Sequence, residues 1–175
     1  MIHLESNTAK LDRLGPFRFT RLAVISPAAL LAHLRDPRVA RHLPLLPPAI
    51  DEAFIGQLVQ AKEECWERDG LGHWAILRGD DYVGWGGFQR EGDAWDFGLV
   101  LRPAFFRQGH AIAVQAFEWA RLHTKIEEVT FLLPLSRSER ALTRLGARPL
   151  GTADYAGTPY RKWSLRLEAL LRYRS

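Results

Sequence analysis

The sequence predicts an α/β fold of the α+β kind, in which helices flank a mixed, mostly antiparallel sheet of about seven strands. Two patterns support this prediction. Strand-like runs joined by short turns indicate an antiparallel meander. A strand, an amphipathic helix and a further strand then follow, and a right-handed crossover of this kind makes its two strands parallel. The meander runs are 73–78, 82–89 and 94–101, and the crossover continues through 111–123 and 129–133.

Length and composition indicate a packed globular fold. The chain has 175 residues, of which 47% are apolar and 11% aromatic. We therefore expect a single domain over residues 1–175, with an N-terminal extension at 1–14 and a C-terminal tail at 168–175. The net charge of +4 is spread along the chain without a basic block. This argues against nucleic acid as a partner and mildly favours an anionic ligand.

The cysteine count and the hydropathy pattern bound the setting. Cys65 is the one cysteine, so neither an intrachain disulfide nor a metal site of cysteine thiolates is expected. We expect no metal, and Cys65 reads as a small buried hydrophobe. The first residues lack the apolar segment of a signal peptide, and no apolar run approaches the length of a membrane span. These observations predict a cytoplasmic protein that does not insert into membranes.

The remaining elements follow from start and stop signals. Ser26 and Pro27 begin a short helix, and a longer helix at 51–69 ends at Gly70. We expect one face of that longer helix to carry Phe54, Leu58, Ala61 and Cys65, with Ile55, Val59 and Trp66 beside them. The proline-rich loop 42–48 either caps the core or forms the wall of a pocket. Further predicted elements are a strand at 17–24, a helix at 136–145 capped by Gly146, and a terminal hairpin of 147–152 and 159–167.

The turn between the third meander strand and the crossover helix is a candidate phosphate site. Pro103 interrupts the strand ladder, while Gly109 and Ala111 keep the start of the helix small. Unpaired N–H groups at a helix N-terminus attract phosphate, and Arg107 adds a positive charge. The alternative is an ordinary strand-to-helix turn that binds nothing. In the second meander strand, glycines at 84, 86 and 87 indicate a bulge or a close backbone approach.

With these residues in place, the chain resembles the GNAT superfamily of N-acetyltransferases, and within it the ribosomal-protein N-terminal acetyltransferase subgroup. The turn Phe106-Arg-Gln-Gly-His-Ala111 resembles the family motif Gln/Arg-x-x-Gly-x-Gly/Ala, with the aromatic first residue common in that subgroup. The run from Asp96 to Pro103 resembles the subgroup's Glu-Ile-Gly-Tyr-x-Leu-x-Pro. Ser138 to Gly146 resembles the family's Asn-x-x-Ser to Leu-Gly-Phe segment. The resemblance implies a GNAT fold whose parallel strands splay apart to hold acetyl-CoA.

The same resemblance assigns roles to individual residues. Asp96 would be the general base that accepts the amine proton, directly or through a water; the alternative is a solvated carboxylate paired with Arg102 or Arg90. A backbone N–H at Leu99 or Val100 would stabilise the developing oxyanion. Ser138 would contact the cofactor or, alternatively, cap the helix that follows. The implied cofactor-binding set is Leu99, Val100, Leu101, Phe106, Arg107, Gln108, Gly109, His110, Ala111 and Ser138.

Three departures from the family pattern bear on catalysis. Leu135 stands where the family has Asn, Ala147 where it has Phe, and Leu142 where many relatives place a general-acid Tyr. Because a thiol with a pKa of about 8.5 leaves readily as thiolate, the lost hydroxyl does not by itself prevent transfer. These departures motivate a second hypothesis, a GNAT-like domain that binds CoA without turnover. A nucleic-acid binder is the weakest hypothesis.

The acceptor is expected to be a primary amine. The subgroup resemblance implies a protein N-terminus, and the alternative is a small-molecule amine such as a polyamine or an antibiotic. The loops 42–48 and 153–159, with Tyr155 and Tyr160, are expected to line the acceptor opening. The sequence leaves open whether the protein forms a homodimer. The side chains of His73 and His110 carry no assigned role. Trp85 and Trp95 are expected to pack in the sheet or core, and the alternative is that one of them faces the acceptor pocket.

Overall fold

Seven strands form one sheet in the order β1-β2-β3-β4-β5-β7-β6 in the computed structural model, which describes residues 9–173 and their side chains to residue 170. Neighbouring strands are antiparallel except β4 and β5, which are parallel. The predicted meander, crossover and terminal hairpin are therefore confirmed. The strands are β1 (Arg18–Arg21), β2 (His73–Arg78), β3 (Asp81–Glu91), β4 (Ala94–Leu101), β5 (Glu128–Pro134), β6 (Arg148–Tyr155) and β7 (Thr158–Arg166).

Helices flank this sheet as the sequence predicts. The α-helices are α1 (Pro27–Arg35), α2 (Pro37–Ala40), α3 (Glu52–Asp69), α4 (Gly109–His123) and α5 (Arg140–Leu145). Short 3-10 turns occupy Leu22–Val24, Pro103–Gln108 and Leu167–Tyr173, and residues 9–12 are also helical. The predicted first strand is shorter than expected because its second half folds into the first of these 3-10 turns. Within residues 9–173, no helix combines the length and apolar character that crossing a membrane requires.

The predicted helix signals form the expected bonds. The Ser26 hydroxyl accepts a hydrogen bond from the Ala29 N–H at 3.2 Å. Asp51 accepts one from the Phe54 N–H at 2.9 Å and so caps α3. Gly70 ends α3 with φ of 72°, a left-handed conformation that glycine adopts without strain.

Two apolar clusters pack against the sheet. The larger one joins α4 to the strands through aromatic contacts, including Phe97 and Phe117 with ring centroids 4.5 Å apart. The smaller one lies beneath α1 and α3 and contains Leu30, Ile55 and Trp85. Successive residues of a strand point to opposite faces. Asp96 therefore shares a face of β4 with Val100, which packs against the smaller cluster.

The buried face of α3 is shifted towards the residues that we expected beside it. Ile55, Cys65 and Trp66 are buried, whereas Ala61 is exposed and Phe54 is half-buried. The Trp66 indole N–H donates to the backbone oxygen of His73 at 2.9 Å, and this bond fixes which side of the helix meets the sheet. Apolar periodicity alone did not include that polar anchor.

The N-terminal segment is held more firmly than an extension would be. Residues 1–8 lie outside the described residues, but Leu11 is fully buried. The Gln115 side chain, from α4, donates to the backbone oxygens of Leu11 at 3.0 Å and Phe17 at 2.8 Å. Its own oxygen accepts from the Phe17 N–H at 3.3 Å. At the other end the predicted tail begins at exposed Glu168, and its next two residues, Ala169 and Leu170, pack against a cluster of buried apolar side chains.

Candidate active site

The parallel strands β4 and β5 separate partway along their length. They pair in register at Trp95 with Val129 and at Asp96 with Thr130, and no further pair joins them in the described structure. We call this point of separation the fork. Beyond it β4 runs on to Leu101, so its edge presents unpaired backbone N–H and C=O groups to the gap. The splay that the resemblance implied is confirmed.

The other side of β4 is packed closely against β3. A Cβ placed on Gly86 would lie 2.2 Å from the backbone oxygen of Gly98, and one on Gly84 would lie 2.4 Å from that of Val100. Gly86 also has φ of 151°, a conformation that side chains disfavour. The close approach predicted from these glycines is confirmed. It fixes β4 from one side while the other side stays open.

The predicted phosphate turn is a 3-10 turn that continues into α4. Gly109 has φ of −57°, an ordinary helical value, and a Cβ there would meet Leu101 at 3.5 Å. Because the helix already begins at this residue, the backbone conformation of Gly109 does not require a glycine. The Phe105 N–H donates to the Arg102 oxygen at 2.8 Å, so the turn satisfies part of its own N–H set.

The side chains of this turn lie in different environments. Arg107, His110 and Ala111 are exposed. Gln108 is half-buried, and its side-chain oxygen accepts from Arg78 at 2.8 Å. Phe106 packs against both apolar clusters.

Near the turn, the segment after β5 brings further polar groups. The Arg137 guanidinium lies 5.7 Å from the ring centroid of Phe106. Ser138 is exposed, and its hydroxyl accepts from the Arg140 N–H at 3.3 Å at the start of α5. His42 forms a hydrogen bond with Ser136 at 2.8 Å, which joins the proline-rich loop to this segment.

Asp96 occupies the fork itself. Thr130, its register partner on β5, donates a hydrogen bond to the carboxylate at 3.1 Å. Burial raises the pKa of Asp96 to about 7, and the negative charge of Glu91 adds to that rise. The Thr130 bond and the positive charges of Lys162 and Lys62 act in the opposite direction on this pKa. A carboxylate with a pKa near neutrality is suited to accept a proton.

The alternative partners expected for Asp96 are engaged elsewhere. Arg102 donates to the backbone oxygen of Tyr82 at 2.9 Å, and Arg90 donates to that of Gly92 at 3.1 Å. Neither arginine forms a salt bridge with Asp96 in the part of the chain that the structure describes. Asp96 is therefore not the solvated ion pair that we considered as an alternative.

Side chains that the sequence did not single out lie close to Asp96 on the same face. Lys62 of α3 donates to the Gln89 side-chain oxygen at 2.6 Å, and Gln89 is directly opposite Asp96 in the β3–β4 register. Burial lowers the pKa of Lys62. The meander register could have placed Gln89, but Lys62 comes from a separate helix and left no local signal.

The departures from the family pattern are visible in the structure. Leu142 is buried in the core, so it supplies packing where many relatives have a hydroxyl. Leu135 is exposed. Of the two tyrosines expected near the acceptor opening, Tyr160 is buried and Tyr155 is exposed. Among residues 9–173, no cluster of His, Cys, Asp and Glu could hold a metal ion.

Comparison with known proteins gives the family. A family model described as an acetyltransferase (GNAT) domain matches residues 21–148. The chain belongs to this GNAT acetyltransferase family. The protein is accordingly an N-acetyltransferase by family. No curated protein sequence matches the chain.

Solved structures share the GNAT fold. A GNAT-family acetyltransferase from Bacillus anthracis has a TM-score of 0.70 at 14% identity, covering 88% of this chain and 96% of its own. Aminoglycoside acetyltransferase AAC(6')-Ib in complex with coenzyme A has a TM-score of 0.70 at 15% identity, covering 91% and 98%. Spermidine N-acetyltransferase from Vibrio cholerae in complex with CoA and spermine has a TM-score of 0.70 at 7% identity, covering 89% of this chain and 98% of its own. At these identities the likeness concerns the fold.

Proposed function

We propose that this GNAT enzyme transfers an acetyl group from acetyl-CoA to a primary amine. The observation that carries the proposal is the position of Asp96. A half-buried carboxylate with a pKa of about 7 stands where the open edge of β4 begins. This places a group able to accept a proton beside a strand edge able to hold an extended ligand.

The open edge and the helix that follows fit the shape of CoA. Backbone groups of Leu99, Val100 and Leu101 would pair with the extended pantetheine arm, as an added strand would. The turn and the first residues of α4 (Phe106, Arg107, Gln108, Gly109, His110 and Ala111) would hold the pyrophosphate, at the positive end of the helix dipole. Exposed Arg107 adds charge, and Ser138 would contact the cofactor from the segment after β5.

The chain's own residues account for the proton and the developing charge. Bound acetyl-CoA supplies a thioester whose carbonyl carbon the amine attacks and whose C–S bond then breaks. Asp96, held by Thr130, would take up the proton that the attacking amine loses. A preorganised backbone N–H at Leu99 or Val100 would stabilise the oxyanion. With Leu142 in the general-acid position, the sulfur would leave unassisted as thiolate.

The direct test combines binding and turnover. Calorimetric titration should detect CoA binding, and thiol release should depend on an added amine. Because Asp96 acts as a base, kcat/KM should rise with pH through an apparent pKa of about 7. Asp96→Asn should lower kcat by roughly 10²–10⁴-fold and remove that limb of the profile. The matched control is Asp93→Asn, which changes an exposed carboxylate in a turn. This variant should keep the wild-type kcat and the wild-type pH profile.

Two results would decide against this function. Absence of CoA binding at millimolar concentration would reject the cofactor assignment. CoA binding without thiol release across an amine panel would favour the second hypothesis, a domain that binds CoA without turnover. The panel should include a peptide N-terminus, because the subgroup resemblance extends the proposal to protein N-termini, and small amines such as polyamines and aminoglycosides.

A further inference from the structure

Beside Asp96 lies a group of polar atoms that the proposed transfer does not use. We call Lys62, His73 and Trp85 the donor cluster. Trp85 is 7% exposed and His73 is 9% exposed. The Trp85 indole nitrogen and the Nδ1 atom of His73 have no hydrogen-bond partner among the described residues. A buried indole N–H without a partner costs about 1–3 kcal/mol, so it invites a ligand. The His73 Nδ1 atom adds a second donor in the tautomer that carries the proton on that nitrogen.

The donor cluster is continuous in space and reaches the fork. The Trp85 and His73 rings have centroids 5.7 Å apart, and the Lys62 ammonium lies 5.5 Å from the Trp85 ring. Lys62 also bonds Gln89, which stands opposite Asp96 in the β3–β4 register. An acceptor whose amine faces Asp96 therefore has the donor cluster on one side of it.

The charge balance of the cluster favours an anion. Burial lowers the pKa of Lys62, and it also lowers the pKa of His73 well below its usual value. Lys62 forms no salt bridge within the described residues, and its hydrogen-bond partner there is a neutral amide. Cys65, Glu91 and Asp96 act in the opposite direction on the pKa of Lys62, but neither of the two carboxylates forms an ion pair with it in the part of the chain that the structure describes. An incoming carboxylate would give the half-buried ammonium a direct partner.

We propose that the donor cluster binds a carboxylate on the acceptor, so that the substrate is a small amine carrying a carboxylate, such as an amino acid. This inference rests on the proposed acetyltransferase function and selects its small-molecule branch. Because Trp85 and His73 are nearly enclosed, the group that reaches them must be small. A polyamine would instead bring a second positive charge towards Lys62, which is unfavourable.

The test compares acceptors with and without the carboxylate, and kcat/KM is expressed per free-base amine because an amide lowers the pKa of the neighbouring amine. α-Amino acids are assayed against their amides, with spermidine and a short neutral peptide as further acceptors. Thiol release gives kcat/KM. Calorimetry on the protein saturated with CoA gives the affinity for each acceptor without turnover. A charge-assisted hydrogen bond contributes about 1.5–3 kcal/mol, so the amino acid should exceed its amide by roughly 10–150-fold in both measurements.

Variants of the donor cluster locate the effect. Lys62→Met should bring the ratio of kcat/KM for the amino acid to kcat/KM for its amide close to one. Lys62→Arg should keep most of the preference for the amino acid. Trp85→Phe should lower the ratio by a smaller factor, because one neutral donor is lost. The ratio is insensitive to any change that Lys62→Met causes in the pKa of Asp96, since both acceptors meet the same base. Exposed Lys125→Met is the matched control and should leave the ratio unchanged.

The outcomes separate the two proposals. Thiol release that is equal or faster with amides, spermidine or the peptide would overturn the carboxylate inference while the acetyltransferase function stands. If no amine supports thiol release, the calorimetric comparison still decides the inference: tighter binding of the amino acid supports it, and equal binding rejects it. Should Lys62→Met fail to fold, the wild-type ratio together with Lys62→Arg and Trp85→Phe gives the same decision.

Discussion

The two sides of β4 are built in opposite ways. Towards β3 the strand is paired along its length, and glycines at 84 and 86 let the two backbones approach more closely than any side chain would permit. Towards β5 the pairing stops at Asp96 and Thr130. One strand thus has a closed side that fixes its position and an open side with unpaired backbone groups. A ligand can add to the open side because the closed side already holds the strand.

This comparison predicts which substitutions should change stability and which should change activity alone. Changes on the closed side should act through the fold. Changes on the open side should leave the fold intact and act through binding or catalysis. Asp96, at the fork, belongs to both sides and should affect both properties.

The largest effect is expected on the closed side. Gly86→Ala would place a Cβ 2.2 Å from the Gly98 oxygen in a backbone conformation with φ of 151°. Overpacking and backbone strain together should lower the free energy of unfolding by about 3–5 kcal/mol. Urea denaturation measures this, with Gly92→Ala as control because its Cβ meets nothing within 4 Å and it also has positive φ. Equal losses in the two variants would show that the close approach is unimportant.

At the fork, Asp96→Asn should stabilise the protein in a pH-dependent way. The folded-state pKa of Asp96 is raised from 3.8 to about 7, so its stabilising contribution is complete below pH 4 and is lost as pH rises through 7. The Asn side chain does not titrate. The variant should therefore gain stability relative to wild type between pH 4 and 7, by on the order of 2–4 kcal/mol. Denaturant unfolding at pH 4.5 and pH 8 measures the gain, and a pH-independent difference would contradict it.

The smallest stability effect is expected at Gly98, where an added Cβ would point to the sheet face that carries Asp96 and not towards β3. A Cβ on Gly98 would meet nothing within 4 Å, so Gly98→Ala should change the free energy of unfolding by less than about 1 kcal/mol. The added methyl group lies on the same face as Asp96, two residues along β4, and should displace the substrate. We expect kcat/KM to fall at least about 10-fold. Thermal denaturation and thiol release, measured on the same preparation, test whether activity falls while stability is kept. A parallel loss of stability and activity would show that the fold itself needs glycine at this position.

Local signals predicted much of this architecture. Ser26, Asp51 and Gly70 act on their immediate neighbours, so a single sequence shows where their helices begin and end. The meander was readable because its strands follow one another directly. The splay followed from the family resemblance, since prolines at the ends of β4 and β5 are compatible with it but do not require it.

The site was less predictable because it assembles from distant segments. Asp96 was found by its place in a motif, but its partner Thr130 comes from a strand 34 residues later. Lys62 belongs to α3, and its contact with Gln89 spans 27 residues across a packed interface. His73 and Trp85 looked like ordinary packing residues. Their unpartnered nitrogen atoms become visible when burial and hydrogen bonds are both known. No periodicity encodes that combination.

The bonds of Gln115 bear on how the chain folds as it is made. Its side chain satisfies backbone groups of Leu11 and Phe17, which precede it by 104 and 98 residues. At ribosomal rates of about 5–20 residues per second, these groups wait roughly 5–20 s for their partner to be synthesised. The segment 11–17 is therefore among the last parts of the described chain to reach its final place. In nascent chains that stop before α4, this segment should be accessible to proteases and chaperones.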